Sequence, residues 1–415
     1  MSVGIERIAA YVPSYALSLH DLAVARNVPP EKMTAGLGVH EMAIAAPCED
    51  VVTLAASAGL RCLRRAGVDP GEIGMLLLAT ETGVDHSKPV GIFVHELLGI
   101  GRHCRVYELK HACYAGTAAL MTAADWVRAG TGRRRKALVI AYDIARYELR
   151  SAGEPTQGAG AVAMLVGNEP RVLSLEADSG TYAANVYDFW RPFGRREALV
   201  DGKFSVECYL DALTGAFTQY RALERPHLAP EEALSDRLAR LLYHTPFPKM
   251  AVKAHRRLVE LDWKAAGQQR WAKAEATLDE SVAASFRELA ASGIEAVSHI
   301  GNTYTASLYL CLAGLLEREA RALAGRRVGL FSYGSGCCAE FFAGTVPNAV
   351  ESVADAGLRD LLKARTMIDV AEYERLMTSG EAGGEPPATF AGEFVFRGVR
   401  NDRREYGRMR ESMAA

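Results

Sequence analysis

Hydrophobic positions in this chain gather into short, nearly unbroken runs. Ile73 to Thr80 is such a run, and Ala137 to Tyr142 and Ala161 to Val166 repeat it, each bounded by Gly or a charged residue. A strand buried on both faces by covering helices needs that pattern. Each run therefore predicts a strand. Glu81 follows the first and Asp143 the second, at the carboxyl ends where open α/β sheets gather their chemistry. Gly4 to Val12 predicts an earlier strand, and Cys104 to Leu109, which alternates and carries Val106 and Tyr107, another.

Between these runs the period becomes helical. Asp50 can cap a helix whose face of Val52, Leu54, Ala55, Ala58, Leu60, Cys62 and Leu63 runs up to Gly67, and Val68-Asp69-Pro70 breaks it. A second helix is predicted from Ala115 towards Trp126. Glu207 to Arg221 and Ser307 to Ala324 predict helices, and Ala296 to Ile300 and Arg327 to Ser332 predict strands. The succession implies two βα-rich halves, residues 1–170 and 171–415, with a mostly helical insertion at about 224–290.

Three loops stand out. Gly36-Leu37-Gly38 makes a turn after the polar Pro29-Pro30 segment. Ser151 to Gly160 holds three glycines, but no Gly-Lys-Ser/Thr follows, so close backbone approach to a neighbouring chain or strand explains them better than phosphate binding. Ser379 to Pro387 reads as a mobile loop, and the charged tail Arg400 to Met413 as peripheral.

Composition narrows the function classes. With 415 residues, 49 % hydrophobic, 24 % charged and a formal charge of −2, the chain gives no electrostatic reason to expect nucleic acid or an anionic membrane as partner. No run approaches the roughly 20 apolar residues of a membrane helix, and the N-terminus lacks a signal pattern, so a cytoplasmic protein is expected. Eight cysteines in so long a chain make no disulfide framework, and without a CxxC or HExxH no metal site is expected.

The chemistry centres on Glu108-Leu109-Lys110-His111-Ala112-Cys113-Tyr114-Ala115-Gly116-Thr117. Cys113 lies where a strand gives way to a helix. In the first helical turn, unpaired N–H groups and the helix dipole would favour its thiolate, the form that attacks a carbonyl. Small neighbours leave room for an acyl group.

This segment resembles the nucleophile motif of 3-hydroxy-3-methylglutaryl-CoA synthases and their relatives in polyketide assembly lines. Further blocks resemble the same family: Ala79-Thr80-Glu81-Thr82-Gly83, Gly153-Glu154-Pro155-Thr156-Gln157-Gly158-Ala159-Gly160, Tyr187-Asp188-Phe189-Trp190-Arg191-Pro192, Val200-Asp201-Gly202-Lys203, His244-Thr245-Pro246-Phe247-Pro248-Lys249, Gly301-Asn302-Thr303-Tyr304-Thr305 and Ser332-Tyr333-Gly334-Ser335-Gly336. The resemblance runs in order from near the N-terminus to about Gly344.

It implies a thiolase-like αβαβα layered fold, a homodimer and an acyltransferase that forms a carbon–carbon bond. Cys113 would hold an acetyl group, Glu81 would take its methyl proton, and His244 would protonate the oxyanion formed on the acceptor ketone. Backbone N–H groups of Cys113 and Ser335 would stabilise the enolate oxygen, Asn302 would bond the acceptor, and Asp188 would orient the catalytic groups. Asp85 and Asp143 are secondary candidates. No cofactor is implied, because the acyl groups arrive on the phosphopantetheine of CoA or of an acyl carrier protein.

The sequence departures Leu109-Lys110-His111, Asp85-His86-Ser87-Lys88 and Phe247 to Arg256 favour the assembly-line branch, which adds a β-branch to a polyketide on an acyl carrier protein. Lys249, Lys253, Arg256 and Arg257 would then receive the pantetheine or the acidic carrier. The alternative is 3-hydroxy-3-methylglutaryl-CoA synthesis for the mevalonate pathway. Decarboxylating ketoacyl synthases have no use for the Glu81 base, and a non-catalytic carrier-binding protein has no use for Cys, Glu and His together.

Overall fold

The apolar runs become the interior strands of a sheet. The computed structural model describes residues 2–130, 135–195, 197–267 and 277–409. Its first half comprises β1 (Gly4–Tyr11), β2 (Tyr15–Ser18), α1 (Leu19–Ala25), α2 (Pro30–Thr34), β3 (Glu41–Ile44), α3 (Val51–Ala66), β4 (Ile73–Ala79), α4 (Val90–Leu97), β5 (Arg105–Leu109), α5 (Ala115–Arg128), β6 (Lys136–Ile144) and β7 (Ala159–Gly167). The second begins with β8 (Leu173–Ala183), β9 (Phe189–Trp190), β10 (Leu199–Val200), α6 (Gly202–Glu224), β11 (Arg240–Tyr243), α7 (Pro248–Ala265) and α8 (Leu278–Leu289). It ends with α9 (Ser307–Leu323), β12 (Arg327–Gly334), β13 (Cys338–Thr345), α10 (Leu358–Ala364), β14 (Thr366–Met367), α11 (Val370–Thr378), β15 (Phe394–Arg400) and β16 (Arg403–Arg408).

Nine strands form one mixed sheet in the order β11-β12-β13-β8-β1-β7-β6-β4-β5. The two halves meet where β1 pairs with β8. Every residue of β4 and β7 is buried, as their apolar runs require. Adjacent residues of a strand face opposite sides, so two neighbours on β6 show how the sheet is covered. Gly59 of α3 packs on Ile140, whereas Gly116 of α5 packs on Ala141, so the two helices lie on opposite faces. Gly116 also lets α5 close on the second half: a Cβ there would meet the Thr305 carbonyl at 2.5 Å, and the next residue, Thr117, shares a 2.8 Å hydrogen bond with Tyr309 of α9. This layering is the α/β architecture that the sequence implied.

Local signals hold where they are strong. Asp50 caps α3 through a capping box with Thr53, and Gly67 ends it with φ 64° in the left-handed region. Where they are weak, the structure differs. Ala296 to Ile300 is no strand; Val297–His299 forms a 3-10 turn in which the Ile300 N–H bonds back to the Val297 carbonyl at 3.2 Å. A short apolar run cannot distinguish the two. The insertion at 224–290 holds α7 and α8 but also β11, which pairs in parallel with β12; residues 268–276 lie outside those described. The charged tail is not peripheral, because β15 and β16 form a hairpin and both Arg404 and Tyr406 bond the Asp50 carboxylate, at 2.9 and 2.8 Å. Residues 410–413 of that tail are outside the described residues. The segment from Ser379 to Pro387 is irregular yet packed, since a Cβ on Gly383 would meet Arg397 backbone at 2.5 Å.

Candidate active site

Sheet register gathers the first group of residues. β4 lies between β5 and β6 in parallel, with Ala79 opposite Leu109 on one side and Ala141 on the other, so the three strands end together. Glu81 follows β4, Asp143 closes β6, and Cys113 follows β5. At the third site Ala112 takes φ 40°, which turns the chain before α5 begins at Ala115. The Cys113 Sγ–H then donates to Glu81 Oε1 over 3.4 Å.

Asp143 holds this corner together. Its Oδ1 accepts from Thr80 Oγ1 (2.6 Å), Glu81 N (2.9 Å), Thr82 N (3.0 Å) and Thr82 Oγ1 (2.6 Å). Its Oδ2 accepts from the N and Oγ1 of Thr305, at 3.1 and 2.7 Å. The carboxylate thereby ties the Glu81 loop to the second half of the chain. The Arg191 guanidinium adds a bond to the Glu81 carbonyl.

Burial sets the protonation states. Desolvation, with the Asp143 charge second, pushes Glu81 up to about 8. Glu81 and Cys113 each keep some accessible surface, but their reactive groups are enclosed closely enough for desolvation to dominate. Desolvation and the Glu81 and Asp143 charges push the Cys113 thiol well up. The expected stabilisation of the thiolate by the helix is therefore outweighed, and the resting nucleophile is a thiol beside a carboxyl group that is placed to take its proton when unprotonated. Desolvation also lowers His244 to about 3, so its imidazole is neutral at rest and meets an oxyanion as an N–H donor.

The second half brings the remaining groups. His244 directly follows β11; its N–H bonds to the Phe331 carbonyl at 2.7 Å, and its carbonyl accepts from Tyr209 OH at 2.8 Å. The Tyr209 ring stacks near the His244 ring, 6.4 Å between centroids. Ser335 sits in the turn between β12 and β13. That turn abuts the nucleophile loop so tightly that a Cβ on Gly334 would meet Tyr114 N at 2.5 Å. Asp188 is fully buried and holds the turn by accepting from Gly336 N at 2.9 Å and from Tyr333 OH at 2.6 Å. Asn302 uses Oδ1 to accept from Tyr304 N at 2.8 Å, which leaves its amide NH2 as a donor.

Other candidates stand apart. Asp85 is exposed and only caps the turn to Ser87 and Lys88. Lys249 and Lys253 are exposed on α7. Arg256 is paired with Glu260 at 2.8 Å and Asp279 at 2.6 Å; Arg257 bonds Thr214 at 3.1 Å and lies 3.8 Å from Asp211. Two tyrosines that sequence reasoning did not assign join the site. Tyr147 is buried and its ring packs edge-on to that of Phe189, 6.3 Å between centroids, which packs in turn on buried Tyr304 at 5.7 Å. Tyr304 also holds φ 44°, a value unusual for a bulky residue and a mark of functional sites. Among the described residues no cluster of three His, Cys, Asp or Glu side chains could hold a metal ion.

Comparison with known proteins gives the arrangement its relatives. The family model described as hydroxymethylglutaryl-coenzyme A synthase N terminal matches residues 1–171, and the corresponding C terminal model matches residues 174–383. The second match extends past Gly344. A solved structure of MvaS in complex with 3-hydroxy-3-methylglutaryl coenzyme A is 47 % identical, with a TM-score of 0.92 over 98 % of this chain and 99 % of that one. A hydroxymethylglutaryl-CoA synthase of Enterococcus faecalis is 38 % identical over 91 % of both chains. PksG of Bacillus subtilis (strain 168), a polyketide biosynthesis 3-hydroxy-3-methylglutaryl-ACP synthase, is 33 % identical over 91 % of this chain and 88 % of its own.

Proposed function

The chain belongs to the hydroxymethylglutaryl-coenzyme A synthase family of C–C bond-forming acyl-condensing enzymes, and from that premise we propose that it joins acetyl-CoA to acetoacetyl-CoA, giving 3-hydroxy-3-methylglutaryl-CoA. The observation that carries this reading is the Cys113 thiol donating to Glu81 Oε1 at 3.4 Å inside a desolvated pocket. The thiol gives Glu81 its proton as sulfur attacks the acetyl carbonyl, and the leaving CoA thiolate takes that proton away. Glu81 is then an unprotonated carboxylate that its surroundings disfavour, and it removes a methyl proton from acetyl-Cys113. The enolate attacks the acceptor ketone and forms the new bond. His244 donates a hydrogen bond to the resulting alkoxide, which is quenched by the proton that Glu81 took from the methyl group, returning Glu81 to its unprotonated form, and N–H groups of Cys113 and Ser335 stabilise the enolate oxygen. Water finally cleaves the thioester, releasing product and regenerating the thiol.

Support for CoA over a carrier protein is twofold. Among solved structures identity is 47 % to MvaS but 29 % to PksG. Arg256 and Arg257, which the carrier reading would use, are already engaged by acidic neighbours. The PksG likeness and the exposed Lys249 and Lys253 support the second reading, β-branching on an acyl carrier protein. A second copy of the chain is proposed as partner, because among the described residues β5 ends the sheet with an unpaired edge and Tyr107 on it is 38 % exposed.

Single-turnover labelling of Cys113 separates the two donors. With acetyl-CoA and acetyl carrier protein at equal concentration, acetyl-CoA should label at least as fast, and acetoacetyl-CoA should then release 3-hydroxy-3-methylglutaryl-CoA. Labelling by the carrier protein alone would give the assembly-line role.

A further inference from the structure

A chain of buried polar groups runs from the first helix to the edge of the active site. Arg26, at the end of α1, grips Glu154 with two hydrogen bonds of 2.8 and 2.6 Å and pairs with Glu374 of α11 at 2.7 Å. The Arg26 and Glu154 side chains are only 7 % and 1 % exposed. Tyr373 OH donates to Glu154 Oε1 at 3.2 Å and accepts from Gln157 Nε2 at 2.6 Å. Gln157 Oε1 in turn accepts the backbone N–H of Tyr147 at 2.7 Å. The bonds from Tyr147 N–H through Gln157 and Tyr373 all donate towards Glu154, so its carboxylate polarises that series, while Arg26 donates to the same carboxylate from the other side.

We propose that Gln157, backed by Tyr373, Glu154 and Arg26, is a positioning residue that fixes Tyr147 beside Phe189 and the Tyr304 loop, at the edge of the active site, for the condensation step. A buried ion pair adds little stability beyond what an apolar replacement would supply, so stability alone gives no reason for this one. The segment it braces is locked on its other side as well. A Cβ on Gly158 would meet the Ile300 carbonyl at 2.4 Å and that of Asn302 at 2.8 Å, and Asn302 N–H bonds to the Thr156 carbonyl at 2.9 Å. Tyr147 therefore sits between the braced loop and the loop carrying Asn302 and Tyr304, and a slip of the brace would shift all three. α11 belongs to the part of the chain where no site residue was expected.

The kinetic part of this inference rests on the proposed reaction, so its test carries a readout that needs no substrate. With 3-fluorotyrosine at position 147, Gln157→Leu should move the fluorine resonance, and Tyr373→Phe, which removes only the linking hydroxyl, should move it less. Condensation by Gln157→Leu should fall ~10- to ~100-fold, the scale of a misplaced reacting group, while acetylation of Cys113 falls much less. In a Tyr147→Phe background the same substitution should cost no more than about twofold, because residues acting through one another are not additive. An unmoved resonance overturns the inference whatever reaction the enzyme performs, as do fully additive losses. A moved resonance in an enzyme that never acetylates Cys113 leaves the brace standing and removes the proposed reaction.

Discussion

Two carboxylates share this site, and the difference between their surroundings separates a structural part from a reactive one. Asp143 accepts six hydrogen bonds, four on one oxygen and two on the other. Glu81 accepts one, from the thiol it would deprotonate. Burial raises both groups, but on Asp143 the Thr80, Thr82 and Thr305 donors oppose that rise. A carboxylate whose lone pairs are all engaged holds its neighbours in place. One left with spare capacity in a desolvated pocket is a base.

The largest effect should come from removing the saturated carboxylate. Asp143→Ala would strand donors from three threonines and two loops, and thermal or denaturant unfolding should show a loss of about 3–5 kcal/mol, as when one partner of a buried charged network is deleted. Turnover should fall with it, since the Glu81 loop loses its anchor. A variant unfolding within about 1 kcal/mol of wild type would break the comparison, because Asp143 would then hold nothing. The smallest effect should come from Asp85→Ala. That carboxylate only accepts from Ser87 and Lys88 N–H at an exposed turn, so kcat and KM should stay within about twofold of wild type. A large loss there would move Asp85 into the site.

Legibility in the sequence followed the density of local signal. β4 and β7 could be read because unbroken apolar runs have few alternatives, and Cys113 and Glu81 because their blocks resemble a family's. The role of Asp143 could not be weighed, since Thr305 lies 162 residues away in the chain. β11, which delivers His244, has four residues and begins with Arg240, so it disappeared into a helical stretch. The hairpin of β15 and β16 was hidden by its charges: Arg404 and Tyr406 read as surface residues until Asp50 supplied their partner. The thiol state of Cys113 was misjudged for a related reason. A helix terminus is visible in sequence, whereas the burial and two nearby carboxylates that outweigh it are not.

The central claim is that Glu81 is the base acting on acetyl-Cys113, and deuterium exchange into the bound acetyl methyl tests it most directly. Exchange needs the unprotonated carboxylate, and Glu81 is protonated below its raised value of about 8. Acetylation removes the thiol hydrogen bond, which favoured the charged form, so the midpoint should not fall below that value. Neutral His244, lowered to about 3, adds no step across the same range. Mass spectrometry of acetyl-Cys113 should therefore show exchange rising through pH 8 in the wild type and absent in Glu81→Gln, whose adduct forms more slowly without the base for the thiol and is accumulated by long incubation before exchange is measured. Exchange at the wild-type rate in Glu81→Gln would contradict the account.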